Sequence, residues 1–494
     1  EATERSRAAA TTLASHLGRI AGAEFAVGEG DGAEGIVVGL PGDFAKLPFN
    51  IAFEGGAFGR EEYLLRSTDR GLYLLGATEL AVEHAVWDTL YRLGYRQFFP
   101  GETWEIVPER ENLSLAVDSK EKPDFFARRI WYNWGLWDYN RNPYADWCAR
   151  SRAVQGFRLN SGHSYGGYIR ENKAAFDDHP EYFALIGGKR NVGGQSKFCI
   201  SNPGLRKLIV DTAVRRFQKN PGTDSISVDP SDGAGWCECE PCEKMGSVSD
   251  RALTLANEVA AAINELGLGD KYVGMYAYNK HCAPPSLKVH RNVIISVTTA
   301  FLTGGWTFDQ VVEGWAGQGA TLGVYDYFSV IAWDWNMPRR GKAAHATRLA
   351  AAIRSYYDKG ARFLDAESGD AWGPYGLGYY VASRVMWDID EADRADEIVD
   401  DFLEKCFGPA KEPMAEFYQL IGEDRTRRST TDMLARMYRH LNAARNLAKD
   451  DPKVMVRLDE LVLYTRYAEL YDAYARTVGA GKEKARNAMI THAY

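Results

Sequence analysis

Between residues 127 and 367 the chain alternates short β-prone runs with amphipathic stretches. That pattern commits it to strands joined by crossover helices, and so to a parallel sheet. Strands are expected at 129–133, 156–160, 181–185, 225–229, 272–278, 293–297, 321–327 and 361–367, with helices at 203–218, 249–266 and 342–359. Eight strands in roughly 240 residues is the usual size of a (β/α)8 barrel. The fold class expected is therefore α/β, a TIM-like barrel at 123–390, with an open doubly wound sheet as the rival. Residues 1–122 read as a small α/β domain, with helices at 11–20 and 79–93 and strands at 35–39, 62–66 and 72–75. Strand signals vanish in 391–494, where helices are expected at 392–405, 411–421, 430–449 and 453–478.

Barrels do their chemistry at the C-terminal ends of their strands. In the fourth strand Ile226 and Val228 alternate with Ser225, Ser227 and Asp229, and Pro230 and Gly233 end the run. Two carboxylates, Asp229 and Asp232, follow directly. Side-chain parity sorts the other strands. Phe363, Asp365 and Glu367 share the inward parity of the eighth strand. In the fifth, Val273 and Met275 face the helices, which leaves Tyr276 and Tyr278 inward with His281 just beyond. In the seventh, Tyr325 and Tyr327 face in; Asp326 falls on the outward parity and is kept as a weaker candidate.

Asp232, Glu367 and Asp229 are thus candidate catalytic carboxyls around one barrel mouth. Glycoside hydrolysis uses two such groups, one protonating the leaving oxygen and one acting as base or nucleophile. Strands four and eight lie across the barrel, which suits the inverting separation of about 6.5–9.5 Å. Acidic residues at strand ends also serve as helix caps, the structural alternative. Aromatic residues, 12% of the chain, cluster after strands: Trp131, Trp134 and Trp137, then Trp333 and Trp335, then Trp372 and Tyr375. Their faces suit sugar rings, so Trp333 and Trp372 join His163, Tyr276, Tyr278, His281, Tyr327 and Asp326 as expected substrate contacts. Arg158 is the cation that parity offers an acidic sugar.

Seven cysteines are present, three of them in Cys237-x-Cys239-x-x-Cys242. Thiolates at this spacing can hold zinc, with Cys282 or His281 as fourth ligand. A disulfide within the loop and plain thiols stay open. Zinc with four protein ligands would be structural; no cofactor is expected for the chemistry.

A net charge of -8 and a pI near 5.7 argue against nucleic acid as partner. There is no apolar run of about 18 residues, so no membrane span is expected. The chain opens at Glu1 without Met, which reads as a processed or trimmed N-terminus and leaves the location unknown, with periplasm or secretion as the options. Oligomeric state leaves no trace in the pattern.

The segment His179-Pro180-Glu181-Tyr182-Phe183-Ala184-Leu185, then Cys199-Ile200-Ser201-Asn202-Pro203, then Pro230-x-Asp232-Gly233 with the cysteine loop, resembles the family called domain of unknown function 4838. The resemblance runs from about residue 128 to 414. Residues 62–108 are similar to the small N-terminal domain of family 67 α-glucuronidases and family 20 β-hexosaminidases. These resemblances imply a (β/α)8 glycosidase acting on chain ends, with Asp232 and Glu367 at functional positions. Asp229 stands where relatives are expected to carry a small polar residue. The adjacent Asp-Glu pair of family 20 is absent, which argues against cleavage assisted by a 2-acetamido group.

The expectation is a glycosidase that cuts a terminal sugar from an oligo- or polysaccharide, with Asp232 as general acid and Glu367 as base or nucleophile, or the reverse. A non-catalytic carbohydrate-binding protein on a glycosidase-like barrel is the alternative. A zinc-dependent hydrolase of another bond ranks third, since no His-x-x-x-His site appears.

Overall fold

A computed structural model describes residues 3–132, 136–267, 270–330, 341–422 and 430–493. Its N-terminal part is a four-stranded sheet in the order Gly35–Gly39, Gly71–Gly76, Tyr63–Thr68, Asp118–Glu121. Helices Glu4–Ala21 and Glu79–Arg92 pack on it through Leu13, Leu17, Val82 and Val86. Thr3 and Thr78 cap the two helices by accepting from backbone N–H groups.

The central sheet has six parallel strands, in the order Ser225–Ser227, Tyr272–Asn279, Val293–Leu302, Thr321–Tyr327, Phe363–Ser368, Ala127–Tyr132. Parallel sheets are covered by helices, and the outward residues Val273, Met275, Val293, Ile295, Val324 and Leu364 are apolar and buried as that demands. Asn202, with Pro203 behind it, starts helix Pro203–Lys219, and a Ser247/Asp250 capping box starts Val248–Glu265. On the inner face at the N-terminal ends of the strands, Phe58 stacks on Phe126 at 4.5 Å, tilts onto Phe157 and Tyr272 and meets Phe363 edge-on. This aromatic plug closes the floor beneath the strand ends.

Two of the eight expected strands do not join this sheet. Residues 181–185 form a turn and the start of a small antiparallel hairpin, Leu185–Ile186 with Lys189–Arg190, away from the sheet. Pro180 cannot donate a ladder hydrogen bond, and Gly187 and Gly188 take positive φ to turn the chain back. Residues 156–160 run beside Ser225–Ser227 without a ladder. Asn160 donates from its backbone to Ser225 Oγ (2.7 Å) and from Nδ2 to the Ser225 carbonyl (2.7 Å), and His163 alone makes a parallel bridge to Asp229. A Cβ on Gly274 would meet the Asn160 carbonyl oxygen at 2.1 Å, so only glycine admits this close approach. The architecture is a mixed α/β fold around a parallel half-barrel.

The C-terminal part is helical: Ala395–Phe407, Lys411–Ile421, Thr431–Leu447, Pro452–Arg476 and Gly481–Ala493. Arg457 ties it to the N-terminal part by donating to the Thr103 carbonyl (2.7 Å), and braces it internally by donating to that of Cys406 (2.9 Å). Among the described residues no helix is long and apolar enough to cross a membrane.

Arg128, fully buried, joins the sheet to the N-terminal part. It pairs with Glu61, donates from Nε to the Arg152 carbonyl (2.9 Å) and from Nη2 to that of Val154 (2.7 Å). Burial alone would raise the Glu61 carboxyl, but Arg128 and His84 hold it down to about 2. Removing one partner of such a pair strands a buried charge. Arg128→Ala should therefore lower the unfolding free energy by about 3–5 kcal/mol in urea denaturation. Arg5→Ala, which breaks the exposed pair with Glu83, should cost at most about 1 kcal/mol.

Candidate active site

The C-terminal strand ends open onto a cavity of about 770 Å³ whose wall includes both Asp232 and Glu367. The strand parity read from the sequence accounts for most of that wall. Glu367 comes from Phe363–Ser368, Tyr325 and Tyr327 from Thr321–Tyr327, and Tyr276 and Tyr278 from Tyr272–Asn279. His163 reaches in from the loop after residue 160.

The two carboxyls have different surroundings. Glu367 is half-buried against the tyrosines and accepts a hydrogen bond from Tyr325 Oη (3.0 Å). Burial pushes its carboxyl above the ordinary range, by more than the Tyr325 bond draws it down. Tyr325 itself is held protonated by burial, and the neighbouring Glu367 carboxylate acts in the same direction. Asp232 is exposed and accepts from Tyr278 Oη (3.0 Å). Burial and the bond to Asp232 push the Tyr278 hydroxyl up to about 12, so it remains a donor.

Asp229, three residues before Asp232, is wholly buried and does not line the cavity. Its Oδ2 lies 2.7 Å from His163 Nδ1, and its Oδ1 accepts from the Tyr276 backbone N–H (2.9 Å) and faces His281 Nε2 at 3.3 Å. Burial would raise this carboxyl, but the two histidines hold it below the usual range. For His163, burial favours the neutral ring, and the hydrogen bond and charge of Asp229 outweigh it and raise the pKa. With Nδ1 held by Asp229, Nε2 is 3.7 Å from Asp232 Oδ1.

These positions set several candidates apart from the cavity wall. Asp229 belongs to the scaffold behind the cavity, and His281 stands there with it, 2% exposed and edge-on to Trp236. Asp326 turns outward as its parity said, into a buried cluster with Lys342, Thr299 and Tyr356. Trp372 starts helix Trp372–Trp387 and packs inside against Trp147 (4.7 Å) and Tyr379, with its Nε1 donating to Tyr132 Oη. Arg158 is exposed outside the cavity. Trp333, with Trp134 and Trp335, lies outside the described residues.

Two further residues of the wall were missed. Arg129 holds Asp365 through both Nε (3.0 Å) and Nη2 (3.1 Å) and sits over Trp131 at 5.2 Å. Its parity with Ala127 and Trp131 could have revealed it. Phe301 exposes 47% of its surface and has φ of +60°, in a stretch where the ladder between Tyr272–Asn279 and Val293–Leu302 shifts register. A bulky residue there stores about 1–3 kcal/mol of backbone strain, a feature that clusters at functional sites. No periodicity reveals such a shift.

The thiols are also regrouped. Cys237, Cys239 and Cys242 meet Cys199, with all four Sγ atoms within 4.8 Å of one another. Cys282 is not among them; its Sγ lies 3.5 Å from the Thr303 carbonyl.

The family model "Domain of unknown function (DUF4838)" matches residues 99–419. The chain belongs to the DUF4838 family. Comparison with curated proteins gives no match. Among solved structures, the fold is similar to a family GH115 4-O-methyl-α-glucuronidase, BtGH115A, with specificity for decorated arabinogalactans. The TM-score is 0.61 at 12% identity, over 99% of this chain and 74% of that one. It is similar also to a family 89 glycoside hydrolase from Clostridium perfringens in complex with PUGNAc, with a TM-score of 0.55 at 10% identity, over 99% of this chain and 65% of that one. At such identities the likeness concerns the glycosidase-like fold of this DUF4838 chain.

The Asp229–His163 contact has a measurable consequence. Asp229→Asn should lower the His163 midpoint in an NMR titration, because the charge that raises it is gone. An unchanged midpoint would contradict the arrangement.

Proposed function

We propose that this protein is a glycoside hydrolase acting on the end of a carbohydrate chain. The observation that carries the reading is the shared cavity: Asp232 and Glu367, far apart in sequence, open onto one aromatic-walled pocket. The glycosidase-like fold supports it. In this reading the half-barrel sheet and the 157–163 segment are a worn form of a (β/α)8 barrel.

The surroundings of the two carboxyls support a division of roles. Glu367, with its proton affinity raised by burial, is the general acid that protonates the leaving oxygen. Asp232, exposed to water and steadied by Tyr278, acts as base or nucleophile. Trp131 and Phe301 offer faces to the sugar ring, and a floor closed by the Phe58 plug favours a chain end over an internal bond. Intact sugar after long incubation, with binding unaffected by Asp232→Asn, would instead make the chain a carbohydrate-binding protein.

A screen on aryl-glycosides and natural glycans, including uronides because Arg129 stands in the wall, tests the activity, and NMR of the first product anomer separates retention from inversion. Glu367→Gln and Asp232→Asn should each lower kcat/KM by about 10²–10⁴-fold. The pH profile gives an independent check. Activity should fall as pH rises through the raised Glu367 midpoint, and Tyr325→Phe should move that limb to higher pH, because a donor to the carboxylate form is lost. A limb that does not move would contradict Glu367 as the acid.

A further inference from the structure

The cysteine cluster lies outside the cavity, in a satellite core with Ala184, Leu185 and Ile186. Cys237 and Cys239 come from the loop after the Asp229 strand, Cys242 from helix Glu240–Lys244, and Cys199 from the approach to helix Pro203–Lys219. Three of the four thiols are at least 96% buried, at 4%, 3% and 0% exposure for Cys199, Cys237 and Cys242.

Their spacing discriminates between the possible chemistries. Sγ separations are 3.6 Å for Cys199–Cys239, 3.9 Å for Cys199–Cys242 and 3.4 Å for Cys237–Cys239. A disulfide needs about 2.05 Å. Four sulfurs around a tetrahedral zinc, each about 2.3 Å from the metal, are about 3.8 Å apart. The surroundings also suit thiolates. The backbone N–H of Leu185 donates to Cys237 Sγ (3.2 Å) and that of Ser201 to Cys242 Sγ (3.4 Å), while the Ser201 hydroxyl lies 3.2 Å from Cys242 Sγ. Arg190, anchored on the Phe183 carbonyl at 2.9 Å, brings a compensating positive charge beside Cys199. Such outer contacts orient ligand sulfurs and tune the metal.

We infer that Cys199, Cys237, Cys239 and Cys242 bind one zinc ion as a tetrahedral four-thiolate site. With every position taken by protein, the ion is structural and activates no water. It clamps the 229–242 loop to the 183–201 excursion. Lys197, two residues before Cys199 and 2% exposed, extends the clamp by donating to the carbonyls of Ser231, Asp232 (3.2 Å) and Gly233 (2.8 Å). The ion thereby sets the position of the turn that carries Asp232.

The test is the metal content of the purified full chain, which requires no substrate and so stands or falls apart from the glycosidase reading. Elemental analysis should give about one zinc per chain. Cobalt exchanged into the site should show thiolate-to-cobalt charge transfer and the visible bands of a tetrahedral centre. Cys239→Ser, at the least buried ligand, should lose the zinc, and Cys282→Ser should keep it. The inference is overturned if the wild-type chain carries no zinc, whether thiol titration then finds the four cysteines free or paired as disulfides. It is equally overturned by iron in place of zinc, or by zinc that leaves with Cys282→Ser.

Discussion

The carboxylate of Asp229 organises the mouth of the half-barrel. One side chain, wholly buried, accepts from the Tyr276 backbone and meets His163 and His281, while its own carbonyl accepts from the Ser164 N–H (3.0 Å) and hydroxyl (3.1 Å). Three loops, after residues 160, 227 and 279, are pinned to one point. A buried charge is tolerated only with such partners, and losing one would leave it uncompensated. The pin explains why Asp232 and His163 stand where they do, although neither is fixed by a strand ladder.

Around that pin the pocket separates two carboxyls by environment. Glu367 is packed among aromatic rings and accepts from the Tyr325 hydroxyl, and Asp232 faces water beside a histidine whose other nitrogen is held by Asp229. Low-dielectric surroundings favour a neutral acid and wet ones a carboxylate. The proposed division of labour therefore rests on what packs around each group; both are ordinary acidic residues in sequence. The Arg129–Asp365 pair satisfies the other inward carboxyl of the same strand, so that Glu367 is the carboxyl this strand presents to the cavity.

Much of this was legible in the sequence, because parity is a local rule. It sent Phe363, Asp365 and Glu367 inward, put Tyr276, Tyr278, Tyr325 and Tyr327 on the cavity side, and turned Asp326 away. The failures involve information that periodicity does not carry. The apolar run at 181–185 has strand-like composition, but Pro180 and the Gly187-Gly188 turn make it a hairpin. Residues 156–160 keep the strand position yet bond through side chains. Cys282 and His281 offer themselves as fourth ligand because they follow a neighbouring strand, whereas Cys199 arrives from a long excursion. His281 and Trp372 were placed by chain proximity to strand ends, and packing drew both inward.

In the proposed reaction one pocket holds a sugar between Glu367 and Asp232. A crystal structure of Glu367→Gln soaked with an oligosaccharide substrate tests it most directly. The expected result is a terminal sugar in the cavity, its glycosidic oxygen beside residue 367 and its anomeric carbon reachable from Asp232, directly or through one water. A sugar bound elsewhere, or one that sits in the pocket with its glycosidic bond away from both residues, would contradict it.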